Sequence, residues 1–173
     1  LDNELSWNNA NKSLSWKSGY TTTASRPYLY FGDCNSCPYF AEPDWTPLPF
    51  GWTLEQVYTM ASTTNGFALP QIYRKDGQHS EQWYYLSLYM YLEGSEPIGF
   101  MGSFTQSSAR VEVNGCSSGF PYAIDNTPHE GWEQLWNRIS SDPRTAKTRN
   151  GIPFELPVLT DISWDHWKVS YFP

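Results

Sequence analysis

The sequence has few charged residues, and this shortage excludes several classes of protein. Only 17% of the 173 residues are charged, and 18 acidic side chains against 11 Lys and Arg give a net charge of −7. A nucleic-acid-binding domain needs clustered basic residues, so we expect no nucleic-acid partner. No apolar run approaches the roughly 20 residues of a membrane-spanning helix, so we expect no membrane span. Neither a glycine-rich phosphate turn nor a G-x-S-x-G motif is present, which argues against dinucleotide binding and serine hydrolysis.

Cysteines are also scarce, and their number is odd: Cys34, Cys37 and Cys116. The C-x-x-C formed by the first two precedes a proline-rich stretch, so it lies in a loop rather than at a helix start that would stabilise a redox thiolate. The three histidines are scattered, are predicted at the surface and support no zinc site, so we expect no metal and no cofactor. We predict a loop disulfide that joins Cys34 to Cys37, or one of them to Cys116. With few lysines and many aromatic residues, this indicates a secreted protein.

Apolar, strand-like runs alternate with helical patterns along the chain. A capping box at Thr53 and Gln56 begins one predicted helix, and Thr127, Pro128 and Glu130 begin another. A further helix is predicted from about Ser80, with a glycine after its end. Strands are predicted over 1–5, 28–32, 67–73, 98–104 and 158–162.

This alternation predicts βαβ units on a parallel sheet, which makes the chain an α/β protein. The five strands match strands four to eight of a (β/α)8 TIM barrel, whose full length is about 250 residues. An open doubly wound sheet gives the same alternation but normally carries a phosphate turn. We therefore predict one domain, residues 1–173, that is the C-terminal portion of a larger barrel. Half a barrel leaves two open sheet edges, so a companion chain carrying the N-terminal half is expected.

Two carboxylates open the chain at Asp2 and Glu4. Side chains two residues apart on a strand point to the same face, and a β/α barrel displays its chemistry at the carboxyl end of its strands. One interpretation is an acid pair whose pKa values are pushed apart, so that one carboxyl donates a proton while the other stays ionised. The alternative is two solvated residues on a frayed terminus.

Other polar and aromatic side chains are candidates for substrate binding. Gln71 and Tyr73 share one face of a predicted strand, either as hydrogen-bonding groups at a barrel mouth or as a strand end satisfied by loop contacts. Asp161 either contacts substrate or caps a following turn, and the cap is favoured. Trp164 either stacks on a sugar ring or closes the barrel or an interface, and Trp52 in the proline-rich loop is a candidate exposed ring for stacking on sugars.

Several stretches carry a resemblance to a known group of proteins. They are Ala68-Leu-Pro-Gln-Ile-Tyr73, Phe100-Met-Gly-Ser-Phe-Thr-Gln106, Gly131-Trp132 with Leu135-Trp136, and Thr160-Asp-Ile162. They resemble secreted bacterial glycoside-hydrolase-like barrels of largely unassigned activity, distantly similar to the family 25 lysozymes. The resemblance implies that Asp2 and Glu4 stand where that family has its catalytic D-x-E at the end of strand four, with Glu4 as general acid. Retaining barrel glycosidases commonly have a second acid at the end of strand seven, where this chain has Gln106.

Two functions follow from these observations as competing expectations. The first is a secreted glycoside-hydrolase-like barrel that acts on a cell-wall or extracellular polysaccharide by carboxylate acid/base catalysis. The alternative is a non-catalytic carbohydrate-binding or structural subunit built on a degenerate glycosidase barrel. In both, the expected partner is a polysaccharide or glycan. A weaker third interpretation is an aromatic-rich subunit of a larger surface assembly.

Overall fold

A computed structural model describes residues 1–39, 48–62, 66–112, 125–146 and 155–162. Short strands and helices alternate along the chain in these residues, and a 3-10 turn covers Pro49–Gly51. Among them, no helix has both the length and the apolar character needed to cross a membrane. The strands are β1 (Tyr28–Tyr30), β2 (Gly66–Ala68), β3 (Gly102–Thr105) and β4 (Val158–Asp161), and the helices are α1 (Ala10–Thr23), α2 (Leu54–Ala61), α3 (Gln78–Leu92), α4 (Ser107–Glu112) and α5 (Pro128–Ser140).

All strand pairs in the described sheets are parallel. β1 pairs with β2, and β3 pairs with β4, as two two-stranded sheets. Parallel bridges between Ala68 and Phe100 and between Gln71 and Phe104 link the two sheets. The spatial order of the strands therefore follows their order along the chain.

The first residues of the chain lie against the open edge of β1. The Leu1 ammonium donates to the Leu29 carbonyl at 2.7 Å, and the Phe31 N–H donates to the Leu1 carbonyl at 2.8 Å. This is the hydrogen-bond pattern of a parallel pair. Asn3 is buried and donates to the hydroxyl of Tyr30 at 3.2 Å. The predicted first strand is thus present as an extended segment, although no regular strand is assigned to it.

The helices form a row beside the strands, and the apolar core lies between them. α1 packs on α2, α2 on α3, and α3 on α5, which also packs on β3 and β4. A doubly wound sheet reverses its strand order at a switch point, and the described strands contain no reversal. A sequential order is also what a barrel requires. Closure into a (β/α)8 barrel stays a prediction.

The helix boundaries agree with the capping signals in the sequence. Thr53 accepts from the Gln56 N–H while the Gln56 side chain accepts from the Thr53 N–H, and Thr127 and Glu130 repeat this arrangement at the start of α5. Such reciprocal bonds satisfy backbone donors that a helix start leaves unpaired. Gly94 follows α3 with a φ of 84°, a backbone conformation that glycine adopts without strain. These predictions are confirmed.

Two residues, Pro70 and Gly102, explain why β2 is short and why β3 and β4 lie close together. Pro70 has no N–H, so the assigned strand β2 ends at Ala68 and pairing resumes only at the Gln71 bridge. At Gly102 a Cβ atom would lie 1.7 Å from the Val158 carbonyl oxygen. β3 and β4 therefore approach as closely as they do because residue 102 has no side chain.

Helix α1 has no counterpart among the predictions from sequence. The Asn9 side chain caps it by accepting from the Lys12 N–H at 3.2 Å, yet only Ala10 within it is buried. Leu14 and Tyr20 pack against the apolar core, but they do not continue as an apolar period of 3.6 residues along the helix. Helix α1 packs on α2. Tertiary packing, and not an apolar pattern in its own sequence, therefore stabilises this helix.

Candidate functional site

A cavity of about 550 Å³ lies at the carboxyl ends of the parallel segments. Enzymes with parallel strands place their chemistry at this end, because loops from successive strands converge there. Each extended segment contributes lining residues in turn: Asp2 and Glu4, then Phe31 and Asp33, Gln71 and Tyr73, Phe104 and Gln106, and Ile162. The sequence candidates Asp2, Glu4, Gln71 and Tyr73 are therefore brought together.

Glu4 is held in the cavity by a buried amide. The Gln71 side chain is 6% exposed, and its Nε2 donates both to Glu4 Oε1 and, at 3.1 Å, to the Phe31 carbonyl. Gln71 therefore links the first segment to β1 across the cavity wall. Its contact in the structure is with the carboxylate, so its role is to position Glu4.

Asp33 is a cavity carboxylate that the sequence analysis missed. It follows the apolar run of β1, and its Oδ1 accepts from the Leu5 N–H at 2.9 Å. It lines the same cavity as Glu4, and its carboxyl group raises the pKa of Glu4. The available signal was its position, since a polar residue directly after a predicted parallel strand lies at the edge where Glu4 was expected.

Burial and the neighbouring carboxyl groups raise the proton affinity of Glu4. Burial is the main cause that raises the pKa of Glu4, and the charges of Asp33 and Asp2 raise it further against the opposing hydrogen bond from Gln71. Burial also raises the pKa of Asp33, although backbone N–H groups lower it. A desolvated carboxyl beside another carboxyl loses its proton with difficulty. The pair can therefore hold a proton for donation.

His79 lies in the cavity wall, where it is half-buried. Its Nδ1 accepts from the Tyr73 N–H at 3.1 Å, and its ring lies 5.9 Å from that of Tyr73. Burial lowers the pKa of His79 to about 4. The imidazole is consequently neutral at neutral pH, and it adds no positive charge to the cavity.

Trp52 is not the exposed ring that we expected from its loop position. It is 0% exposed, and its Nε1 donates to the carbonyls of Leu5 at 3.1 Å and Asn8 at 3.0 Å. A buried ring cannot stack on a sugar, but these bonds hold the turn that follows Glu4. The exposed aromatic residue of the cavity is Trp7 on that same turn, which is 77% exposed.

Asp161 is a helix cap and does not line the cavity. Its carboxylate accepts from Thr105 Oγ1 at 2.6 Å and from the N–H groups of Ser107 at 2.8 Å and Ser108 at 2.7 Å. The carboxylate therefore caps α4, which precedes Asp161 in the chain, whereas the favoured prediction was a cap on a following turn. The candidate Trp164 lies outside the described residues.

A disulfide closes the loop that follows Asp33. Cys34 is bonded to Cys37, and the Cys37 N–H donates to the Cys34 carbonyl at 2.9 Å. Gln82 of α3 donates to the Cys37 carbonyl at 3.0 Å, which ties the loop to the helix row. The first of the two predicted pairings is confirmed, and Cys116 lies outside the described residues.

No family model, curated protein or solved structure matches this chain significantly. Among the residues with described positions, no group of three His, Cys, Asp or Glu side chains is arranged to hold a metal ion. The cavity and its side chains are therefore the basis for the functional proposal.

Proposed function

We propose that this chain is the C-terminal portion of a secreted (β/α)8 barrel that hydrolyses glycosidic bonds in a cell-wall or extracellular polysaccharide. The sequential parallel strands and the cavity at their carboxyl ends support this architecture. The observation that carries the activity is the position of Glu4, half-buried in that cavity, oriented by Gln71 and paired with a second carboxyl group. The disulfide supports secretion.

In this mechanism Glu4 is the general acid. Its raised pKa keeps the proton that the glycosidic oxygen takes up as the bond to the anomeric carbon breaks. A water molecule then adds its oxygen to that carbon and gives up a proton to a carboxylate. Asp2 also lines the cavity and is the proposed acceptor. Asp33 does not touch the sugar in this scheme and acts through Glu4 as a positioning residue.

Aromatic rings around the carboxylates support a sugar substrate. The rings of Phe31 and Phe104 lie 5.2 Å apart in the cavity wall, and Trp7 is exposed at the same cavity. Aromatic faces cover the apolar C–H surfaces of sugar rings, while amides such as those of Gln82 and Gln106 bind hydroxyl groups. The cavity therefore combines both kinds of contact that a saccharide needs.

Among the residues that the structure describes, no strand pairs with the outer edge of the first segment, and this supports a companion polypeptide. Beside it, Trp16 on α1 is 43% exposed and, together with Leu1, Asn3 and Lys12, lines a second depression of about 390 Å³. We propose that a strand and a helix of the barrel's N-terminal half cover this face. Intact mass measurement of the native particle under non-denaturing conditions tests this, and a stable particle of one 173-residue chain would contradict it.

The experiment that tests the activity compares two matched Glu→Gln variants. Polysaccharide breakdown is measured as released reducing ends, and retention on the same insoluble polysaccharides measures binding. Glu4→Gln removes the transferable proton and keeps the shape, so hydrolysis should be lost while binding persists. Glu93→Gln changes an exposed residue at the end of α3 and should leave both unchanged. Full hydrolysis by Glu4→Gln rules out the proposed mechanism.

A second candidate function is sugar binding without hydrolysis. It is favoured by Gln106, which lines the cavity at the end of β3 where a retaining barrel glycosidase would have its second acid. An amide can bind a hydroxyl group but cannot act as nucleophile or base. In the same experiment this candidate predicts binding by the parent protein and no released reducing ends.

A further inference from the structure

Acidic groups, without Lys or Arg, are present among the described residues that line the cavity. This determines which saccharides can bind there. Three carboxylates belong to its lining, on Asp2, Glu4 and Asp33, and no Lys or Arg is among the lining residues that the structure describes. The other lining side chains are neutral amides, aromatic rings and apolar groups. His79 is the one described lining residue with a group that takes up a proton to become cationic, and burial lowers its pKa to about 4.

Two arginines that adjoin lining residues, Arg110 and Arg74, are already paired with carboxylates. Arg110 lies beside the lining residue Gln106, but its Nε is 2.9 Å from Asp125, whose side chain is 6% exposed. Arg74, which follows Tyr73, is paired with Asp76 in the same way. Neither arginine therefore offers an unpaired positive charge to a ligand in the cavity.

An anionic ligand in this cavity is repelled by the acidic side chains, and no cationic side chain among the described lining residues offsets that repulsion. The charges of Asp33 and Asp2 already raise the pKa of Glu4, so a further negative charge brought into the cavity adds to the same repulsion. The carboxylates of a uronic acid, or sulfate and phosphate esters, would normally be bound by Arg or Lys side chains. Hydroxyl and acetamido groups need only the amides and the carboxylates as partners.

We propose that the cavity binds saccharide units that carry no anionic group, and that uronate, sulfated and phosphorylated glycans are rejected by the charge of Asp2 and by the charge that remains on the Glu4 and Asp33 pair when it holds one proton. This inference rests on the proposed function and narrows its substrate class. It is independent of whether the bound glycan is hydrolysed, because the repulsion acts on binding.

The test uses hexasaccharides in matched pairs. Each pair has the same backbone of glucose, galactose, mannose or N-acetylglucosamine, and one member has its primary alcohols oxidised to carboxylates. Binding to the native particle is measured by calorimetry at neutral pH. In about 10 mM salt, the neutral member should bind at least about tenfold more tightly than its oxidised partner, since charges there are poorly screened. In about 0.5 M salt, this ratio should shrink while the affinity of the neutral member stays constant.

A charge-removing variant identifies the source of the selectivity. Asp2→Asn removes one exposed carboxylate from the lining, so the oxidised hexasaccharides should regain several-fold in affinity relative to the neutral ones. Glu93→Gln alters an exposed carboxylate at the end of α3, outside the cavity lining, and should leave the ratio unchanged.

The outcomes separate this inference from the proposed function. Tighter or equal binding of the oxidised members overturns the charge selectivity and leaves polysaccharide binding intact. A neutral preference that Asp2→Asn leaves unchanged, or that salt leaves unchanged, overturns the assignment to the lining carboxylates. Binding of no hexasaccharide in the set, together with no hydrolysis of any polysaccharide, overturns both proposals.

Discussion

The two ends of the described sheet each carry a carboxylate after a strand, and the two carboxylates have opposite surroundings. Asp161 accepts hydrogen bonds from the Thr105 hydroxyl and from two backbone N–H groups at the start of α4. Glu4 has one amide donor, Gln71, and a second carboxyl group, Asp33, beside it. Donors stabilise an ionised carboxylate, whereas a like-charged neighbour and burial favour the protonated form. Position at a strand end therefore does not make an acid catalytic, and the neighbouring groups decide its role.

Glu4→Gln should give the largest effect of any single change. General acid catalysis contributes a factor of about 10²–10⁴ to a rate, so hydrolysis should fall by that factor when Glu4 can no longer donate. Reducing-end release at saturating polysaccharide measures it. Asp161→Asn, at the other end of the sheet, should keep the parental rate per folded molecule. If Glu4→Gln and Asp161→Asn lose the same fraction of the hydrolysis rate, the proposed difference in role between the two acids is wrong.

The disulfide should give the next largest effect. Replacing both Cys34 and Cys37 by Ser opens a short loop, which the chain-entropy model values at about 2 kcal/mol of unfolding free energy. Urea unfolding, followed by tryptophan fluorescence, measures the loss. Reduction of the parent protein with dithiothreitol should reproduce it, and an unchanged midpoint in both would contradict it. Because the loop follows Asp33, the pH dependence of hydrolysis should also shift.

A pair of Asp→Asn variants then compares stability at the two ends. Asp161→Asn weakens the three hydrogen bonds of a helix cap and should cost about 1–2 kcal/mol. Asp33→Asn removes a charge that its surroundings disfavour while keeping an acceptor for the Leu5 N–H, so it should cost less or stabilise. Urea unfolding at neutral pH measures both. A larger loss for Asp33→Asn would show that its carboxylate is structural.

Local signals in the sequence predicted much of the fold. The capping boxes at Thr53 and Thr127 predicted the starts of α2 and α5, and the apolar runs located the four strands of the described residues. These features depend on neighbours within a few residues, which is why a pattern reveals them. Helix α1 was missed because it buries little and its place is set by contact with α2.

The site was predictable only in part, because its chemistry depends on contacts between distant segments. The D-x-E spacing located Glu4 and Asp2, and the shared face of Gln71 and Tyr73 placed them in the same cavity. Nothing in the sequence showed that Gln71, 67 residues from Glu4, would donate to its carboxylate. For Trp52, a polar, proline-rich neighbourhood indicated exposure, yet its indole is buried. Tertiary contacts decide such cases.

The smallest expected effect is in the pH dependence of the free energy of unfolding. Its sign distinguishes an acid whose pKa is raised by folding from one whose pKa is lowered by folding. The pKa of Glu4 is raised by burial in the folded protein, so the unfolded chain loses this proton first as the pH rises. Stability should therefore fall as the pH rises from the ordinary glutamate pKa through the folded value. Asp142 behaves oppositely, because hydrogen bonds from Arg144 hold its pKa well below the ordinary value. The stability that Asp142 contributes is lost as the pH falls.

Urea unfolding of the parent and Glu4→Gln from pH 4 to pH 8 isolates the Glu4 contribution. The variant should gain stability relative to the parent as the pH rises, because Gln carries no charge to desolvate. Asp142→Asn should show the reverse in a series extended to pH 2, with a deficit that stays nearly constant above about pH 5 and shrinks as the pH falls below the ordinary aspartate pKa. If the difference in unfolding free energy between the parent and Glu4→Gln does not change with pH, the Glu4 carboxyl group has the same pKa in the folded and unfolded states. The proton held by the Glu4 and Asp33 pair, on which the proposed acid catalysis depends, would then have no structural origin.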